Sequence, residues 1–277
     1  MLQKVAAMAG KRFPKIRWTR VGGTCLIFLA LVGTNFAQTA SSEMSAGVEA
    51  YKSGMYERAV EHFQKAVSLD PKFAAAHIYL ATAFAQMYIP GAESADNLAS
   101  AEKSMAEFKS ALASDPLPEQ QIQALRNLAS LNFNMKRFDD AREYYRRLVE
   151  LNPDDAESYY SLAVIDWMQA YQPRMDLRQS MGLKPTDAMD SISACSLLRS
   201  LNQEKVEDGI HNLHEALDIR RDYDDAMAYM NLLYREKAEY ECDDPALRET
   251  DLKLADDWVD RTMATKKAKA EKVQAPY

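Results

Sequence analysis

The chain of 277 residues contains only 9 glycines, 3 cysteines, 4 histidines and 3 tryptophans. With so few glycines there is no glycine-rich loop to cradle a phosphate, and no phosphate loop, dinucleotide fingerprint or nucleophile elbow occurs. The scarcity of histidine likewise leaves little to hold a transition metal. Only His211 and His214 lie close together, three apart on a helical face, and no third ligand stands at a metal-type spacing. They read as surface residues, and no metal or cofactor is expected. The acids fall into solvated helix faces and caps, as the "DD" pairs at 154 and 224 show. No catalytic residue is assigned, and the chain is expected to be no enzyme.

Acids are missing altogether from the first forty residues, which carry six bases: Lys4, Lys11, Arg12, Lys15, Arg17 and Arg20. An apolar run, "CLIFLALVG" from Cys25 to Gly33, follows, and then the small and polar "TNFAQTASS". That order makes residues 1–40 a secretory signal, with cleavage between Ala37 and Ser42. The run falls short of the roughly 20 apolar residues of a membrane span. The alternative is an uncleaved anchor over residues 21–37, the one route to membrane association. Cys25 has no Leu-Ala-Gly-like box before it, which speaks against a lipoprotein.

Losing the six bases takes the formal net charge from −7 to −13, a surface that repels nucleic acid. Bases return only in "TKKAKAEKVQAPY", so residues 266–277 read as a flexible basic tail. Two cysteines remain beyond the signal, Cys195 and Cys242. In an exported protein an even pair suggests a disulfide, the alternative being two buried free thiols.

What the chain does have is one amphipathic helix written twice. "YERAVEHFQKAVSLDP" (56–71) and "FDDAREYYRRLVELNP" (138–153) place an aromatic, Ala, Glu, an aromatic, Val, Leu and Pro at matching offsets. Ala59, Phe63 and Ala66 share one helical face, and Pro71 stops the helix by pushing Asp70 out of helical geometry. Such self-similarity marks a stacked architecture, because one unit cannot bury its apolar face alone.

With Gly47, Gly54, the Ala-x-x-x-Phe step and the closing Pro71, the pattern resembles the tetratricopeptide repeat family. The resemblance implies an all-α, right-handed superhelical solenoid of five antiparallel helix pairs, A and B, over residues 41–265. The repeats are read at 40–73, 74–118, 122–155, 156–223 and 224–265. The second carries an insertion near "MYIPGAESAD", and the fourth a lengthened hairpin turning near Leu183 to Asp190, with a kink or break at Pro173. Asp244 and Pro245 open the last helix as N-cap and first residue.

The family's A helices line a concave groove. That register implies Tyr51, Arg126, Phe133, Asn134, Tyr160, Trp167, Tyr234 and Lys237 as groove residues, with Arg126 or Lys237 meeting acidic or terminal groups of a partner. The competing reading is that Phe133, Tyr160 and Trp167 only pack between adjacent A helices. The implied function is a protein-binding scaffold in a periplasm or cell envelope, taking a peptide or partner helix. The alternative is an assembly subunit docking through the long fourth hairpin. Cys195 and Cys242 fall toward one edge of this stack, but straight helices would leave them about 13 Å apart in height at 1.5 Å per residue.

Overall fold

A computed structural model describes residues 39–184, 187, 189 and 191–274. Of the segment expected to be a signal (1–40), residues 1–38 lie outside the described residues, within which no helix is long and apolar enough to cross a membrane. The described chain is helical without strands: α1 (39–52), α2 (Tyr56–Leu69), α3 (Ala74–Gln86), α4 (Ala95–Ala113), α5 (Pro118–Asn134), α6 (Phe138–Leu151), α7 (Ala156–Ser180), α8 (Ile192–Ile219), α9 (Asp224–Tyr240) and α10 (Pro245–Gln274). From α2 onward, each helix packs on the next. Beyond that, α3 touches α5 and α7 touches α9, whereas the even-numbered helices never meet one another. The odd-numbered helices are therefore the tighter, inner row, and the even-numbered ones the outer row.

The repeated sequence is repeated packing. Ala59, Phe63 and Ala66 of α2 and Ala141, Tyr145 and Leu148 of α6 are all buried, at the same four- and three-residue steps. The ring of Phe63 fills the space over Gly47, where a Cβ would sit 2.4 Å from Cε1. Each helix stops as the prolines require, with Asp70 (φ −138°, ψ 90°) and Asn152 (φ −139°, ψ 84°) out of helical geometry.

The turns into α2 and α6 are also copies. The Gly54 N–H donates to the Tyr51 carbonyl and the Met55 N–H to the Ala50 carbonyl; Lys136 and Arg137 repeat both bonds to Phe133 and Asn132. This closure puts one residue in the left-handed region, Gly54 at φ 73° and Lys136 at φ 58°. A side chain there is strained by about 1 kcal/mol or more. Lys136→Gly is therefore expected to stabilise the protein by about 1 kcal/mol, a rise of about 2–4 °C in melting temperature. An unchanged or lower melting temperature would contradict this.

The fourth pair is the lengthened hairpin, with α7 of 25 and α8 of 28 residues. No break occurs at Pro173, and α7 continues through it as helix. The reason lies on α8. A proline weakens the helix bonds to the carbonyls of the preceding turn, and the Asn202 side-chain amide donates to one of these, Ala170 O, at 2.7 Å.

The last helix also departs from expectation. Residues 266–274 are the final turns of α10 rather than a flexible tail. Lys269 Nζ reaches Asp224 Oδ1 at 2.6 Å and Lys266 Nζ reaches Oδ2 at 3.9 Å. The acidic first turn of α9 supplies counter-charge from 45 residues away, which composition does not reveal. Asp244 does cap this helix, its Oδ1 accepting from the N–H groups of Ala246 and Leu247, both at 3.1 Å.

Candidate functional site

Where α7 meets α9 on the inner row, five aromatic rings form a ladder. Tyr223 stacks on Tyr160 with centroids 5.0 Å apart, and Tyr160 meets Tyr229 at 5.5 Å. Tyr229 meets Trp167 at 5.6 Å, and Trp167 meets Tyr171 at 5.2 Å. Tyr229 stands at 86° to both of its neighbours, the edge-to-face geometry that ring quadrupoles favour. An arginine closes each end: the Arg220 guanidinium lies 4.2 Å above Tyr223 and that of Arg174 lies 5.1 Å above Tyr171. Both are also ion-paired, Arg220 with Glu157 and Arg174 with Glu236, each at 2.8 Å.

Helix periodicity builds this surface. Tyr160, Trp167, Tyr171 and Arg174 recur along α7 at seven-, four- and three-residue steps, and Tyr229 and Glu236 face them from α9 seven apart. Tyr223 is buried, but Tyr160, Trp167 and Tyr229 are half-buried and Tyr171 is exposed. The rings thus both seal the seam and present a surface.

Of the residues expected in a groove, Tyr160 and Trp167 join the ladder. Tyr51 packs on Tyr56 at the first pair, 5.4 Å between centroids, and Phe133 lies edge-on to Phe138 at 5.9 Å. Asn134 lies instead at the edge of the stack, in a recess of about 510 Å³ shared with Tyr88, Glu93 and Lys136. The insertion 87–94 shapes that recess, folded back by Asn97, whose side chain bonds the backbone of Ile89 and Ala92. Tyr234 packs against the α7–α9 core, with its hydroxyl pKa raised by burial. Lys237 is committed internally, to Asp251 of α10 at 3.3 Å and to Glu241 at 3.7 Å. Arg126 pairs with Asp155 at 3.0 Å while its side chain stays 54% exposed. Tyr171, Tyr223 and Tyr229 escape the sequence reading, although Tyr171 stands four after Trp167 and so shares its face.

Cys195 and Cys242 come together, alpha carbons 5.8 Å apart and sulfurs in bonding contact. The difference in height disappears because the register of α8 on α9 is set higher up. Gly209 lies against Leu233, and ten residues further on each chain Arg199 pairs with Asp243. One helical turn past Arg199 lies Cys195.

Residues 47–87 match the TPR repeat model and residues 122–155 the tetratricopeptide repeat model. The chain carries tetratricopeptide repeats. Its all-helical fold is shared with the crystal structure of MamA protein, 16% identical over 87% of this chain and 98% of that one, TM-score 0.56. MamA 41-end from Desulfovibrio magneticus RS-1 is 15% identical over 83% and 96%, with a TM-score of 0.52. YrrB, a TPR protein with an unusual peptide-binding site, is 15% identical over 88% and 97%, also at 0.52. Likeness at this identity shows the fold alone. No curated protein sequence matches the chain.

Among the groups that hold protons more tightly folded than unfolded are His77, Asp166 and Glu241. His77 is buried with acceptors on both ring nitrogens, Glu107 Oε2 at 2.6 Å and the Pro71 carbonyl at 3.1 Å, so it is the imidazolium. The Glu107 hydrogen bond raises its pKa above 6.5. Burial pushes Asp166 up to about 6, against the pull of the Arg142 guanidinium. Burial, and then the hydrogen bond that the protonated Glu241 donates to the Asp251 carboxylate, also raise Glu241. The histidine's contribution is full below 6.5 and is lost as pH rises through its higher folded value. The two acids oppose folding when charged, so for Asp166 the fold gains as pH falls through about 6 toward 3.8. Asp224, lowered by its hydrogen bond from Lys269, acts the other way, losing its contribution in strong acid. Stability is therefore expected to be about 1–2 kcal/mol higher at pH 6 than at pH 8, seen as several degrees in melting temperature, and to fall again below about pH 4. A melting temperature that rises from pH 6 to pH 8 would contradict these assignments.

Proposed function

We propose that this tetratricopeptide repeat protein is a non-enzymatic scaffold of the cell envelope that holds an extended peptide or partner helix along its inner helix row. The observation that carries the reading is the ladder at the α7–α9 seam, whose middle rings stay half-exposed on the inner row. Large aromatics and arginine anchor binding surfaces, and a contiguous exposed aromatic patch on a soluble fold marks an interaction site. The peptide-binding site of YrrB shows that a protein of this fold binds peptide. Export rests on the basic and apolar N-terminal segment and on the cysteine pair at bonding distance.

The rival reading, an assembly subunit, has its own observation. The upper half of α8 exposes Ile192, Leu197 and Leu201, at 72%, 49% and 42%. Affinity capture from intact cells separates the two. A Phe133→Ala, Trp167→Ala variant, folded by circular dichroism, is expected to lose a partner that a Leu197→Lys, Leu201→Lys variant keeps. The reverse pattern would sink the groove reading and install the hairpin.

A further inference from the structure

The ladder is unevenly occupied. Each end ring already carries a guanidinium, Arg220 over Tyr223 and Arg174 over Tyr171. These two arginines show what the ring faces of this seam accept. Tyr160, Tyr229 and Trp167, between them, carry no cation among the described residues, and all three are half-exposed.

A carboxylate stands beside this open stretch. Asp225 is four residues before Tyr229, one helical turn along the same face of α9. That face is the one turned to α7, since Tyr229 contacts Tyr160 and Trp167, and Glu236 pairs with Arg174. Asp225 is exposed, and it has no ion-pair partner among the described residues: the nearby Lys266 and Lys269 go to Asp224. Its charge acts on the hydroxyls of both Tyr160 and Tyr229, whose pKa values are raised by burial first and Asp225 among the further causes. The two arginines at the ends are neutralised by Glu157 and Glu236, so they leave no excess positive charge at the seam. The whole chain is acidic, at −7.

We infer that the middle of the ladder receives an arginine or lysine side chain from a basic segment of the partner, its cation over the Tyr160 and Tyr229 rings and paired with Asp225. This rests on the groove reading and adds the chemistry of the ligand. Rings and carboxylate divide the work. The rings attract a cation through their quadrupoles and cover its apolar stem, while Asp225 supplies the opposite charge that brings it to the seam.

The test is isothermal titration of the full-length protein with a capped octapeptide alternating arginine and alanine, beside its citrulline counterpart of the same shape without charge. The arginine peptide is expected to bind at least about tenfold more tightly than the citrulline one, a step of the size that a cation on an aromatic face and an ion pair supply together. Asp225→Asn should weaken it about fivefold or more, whereas Asp218→Asn, which removes an exposed acid from the outer helix α8, should leave it unchanged. Equal binding of both peptides, or equal weakening by both substitutions, would overturn the proposal, the second outcome showing charge attraction without a site. If a partner crosslinks to the inner row and the arginine peptide does not compete with it, this proposal fails while the groove reading stands. If nothing crosslinks there and the peptide does not bind, both fail.

Discussion

Arg178→Ala is expected to lower the unfolding free energy by about 3–5 kcal/mol, the cost of breaking a buried ion pair from one side. The side chain is almost wholly buried at the top of α7. Its guanidinium donates to Glu239 Oε2 of α9 at 2.8 Å and to the carbonyls of Lys184 and Asp187 at 2.6 Å each. One planar cation thus ties the hairpin turn to its own helix and that helix to the next pair. Arg174, one turn earlier, makes the parallel bond to Glu236 at 2.8 Å. Removing Arg178 would strand a carboxylate and two carbonyls. Arg178→Lys should recover only part of the loss, because an ammonium does not reproduce the fork that reaches three acceptors. Urea denaturation measures the loss, and amide exchange in the upper turns of α7 and α8 locates it. A variant with unchanged stability would show that the cation does not hold the hairpin.

Breaking the link between Cys195 and Cys242 is the second large effect. The pair spans 47 residues, and closing a loop of that length restricts the unfolded chain enough for about 2–4 kcal/mol. Reduction, or the double change Cys195→Ala, Cys242→Ala, should therefore lower the melting temperature by roughly 5–15 °C. Cys195 is buried in the first turn of α8, and Arg199 holds Asp243 one turn below, so the bond closes a contact already in register. Thiol titration of the native protein in denaturant should find neither cysteine free. Two free thiols, or indifference of the melting temperature to reductant, would refute the bond.

The stacked fold was legible because its signals are local. Ala59, Phe63 and Ala66 repeat as Ala141, Tyr145 and Leu148 within single helices, and Pro71 and Pro153 act on the residue just before them. The site was legible only in part. Trp167 and Tyr160 stand out on α7, but Tyr229 joins them only through the rotation of one helix pair on the next, which no spacing within a helix encodes. Lys237 and Arg126 looked free because their partners, Asp251 and Asp155, lie 14 and 29 residues away. The same holds for residues 266–274, where lysines that read as a solvated tail find Asp224 across the final helix pair.

Site-specific photocrosslinking tests the central claim, that the inner helix row is the partner surface, with least disturbance of the fold. A benzophenone side chain is placed in intact cells at Tyr171, exposed at the end of the ladder, at Ser130, exposed on α5, or at His211 on the outer helix α8. One discrete adduct is expected from Tyr171, the same partner from Ser130, and none from His211. An adduct from His211 with none from Tyr171 or Ser130 would contradict the claim.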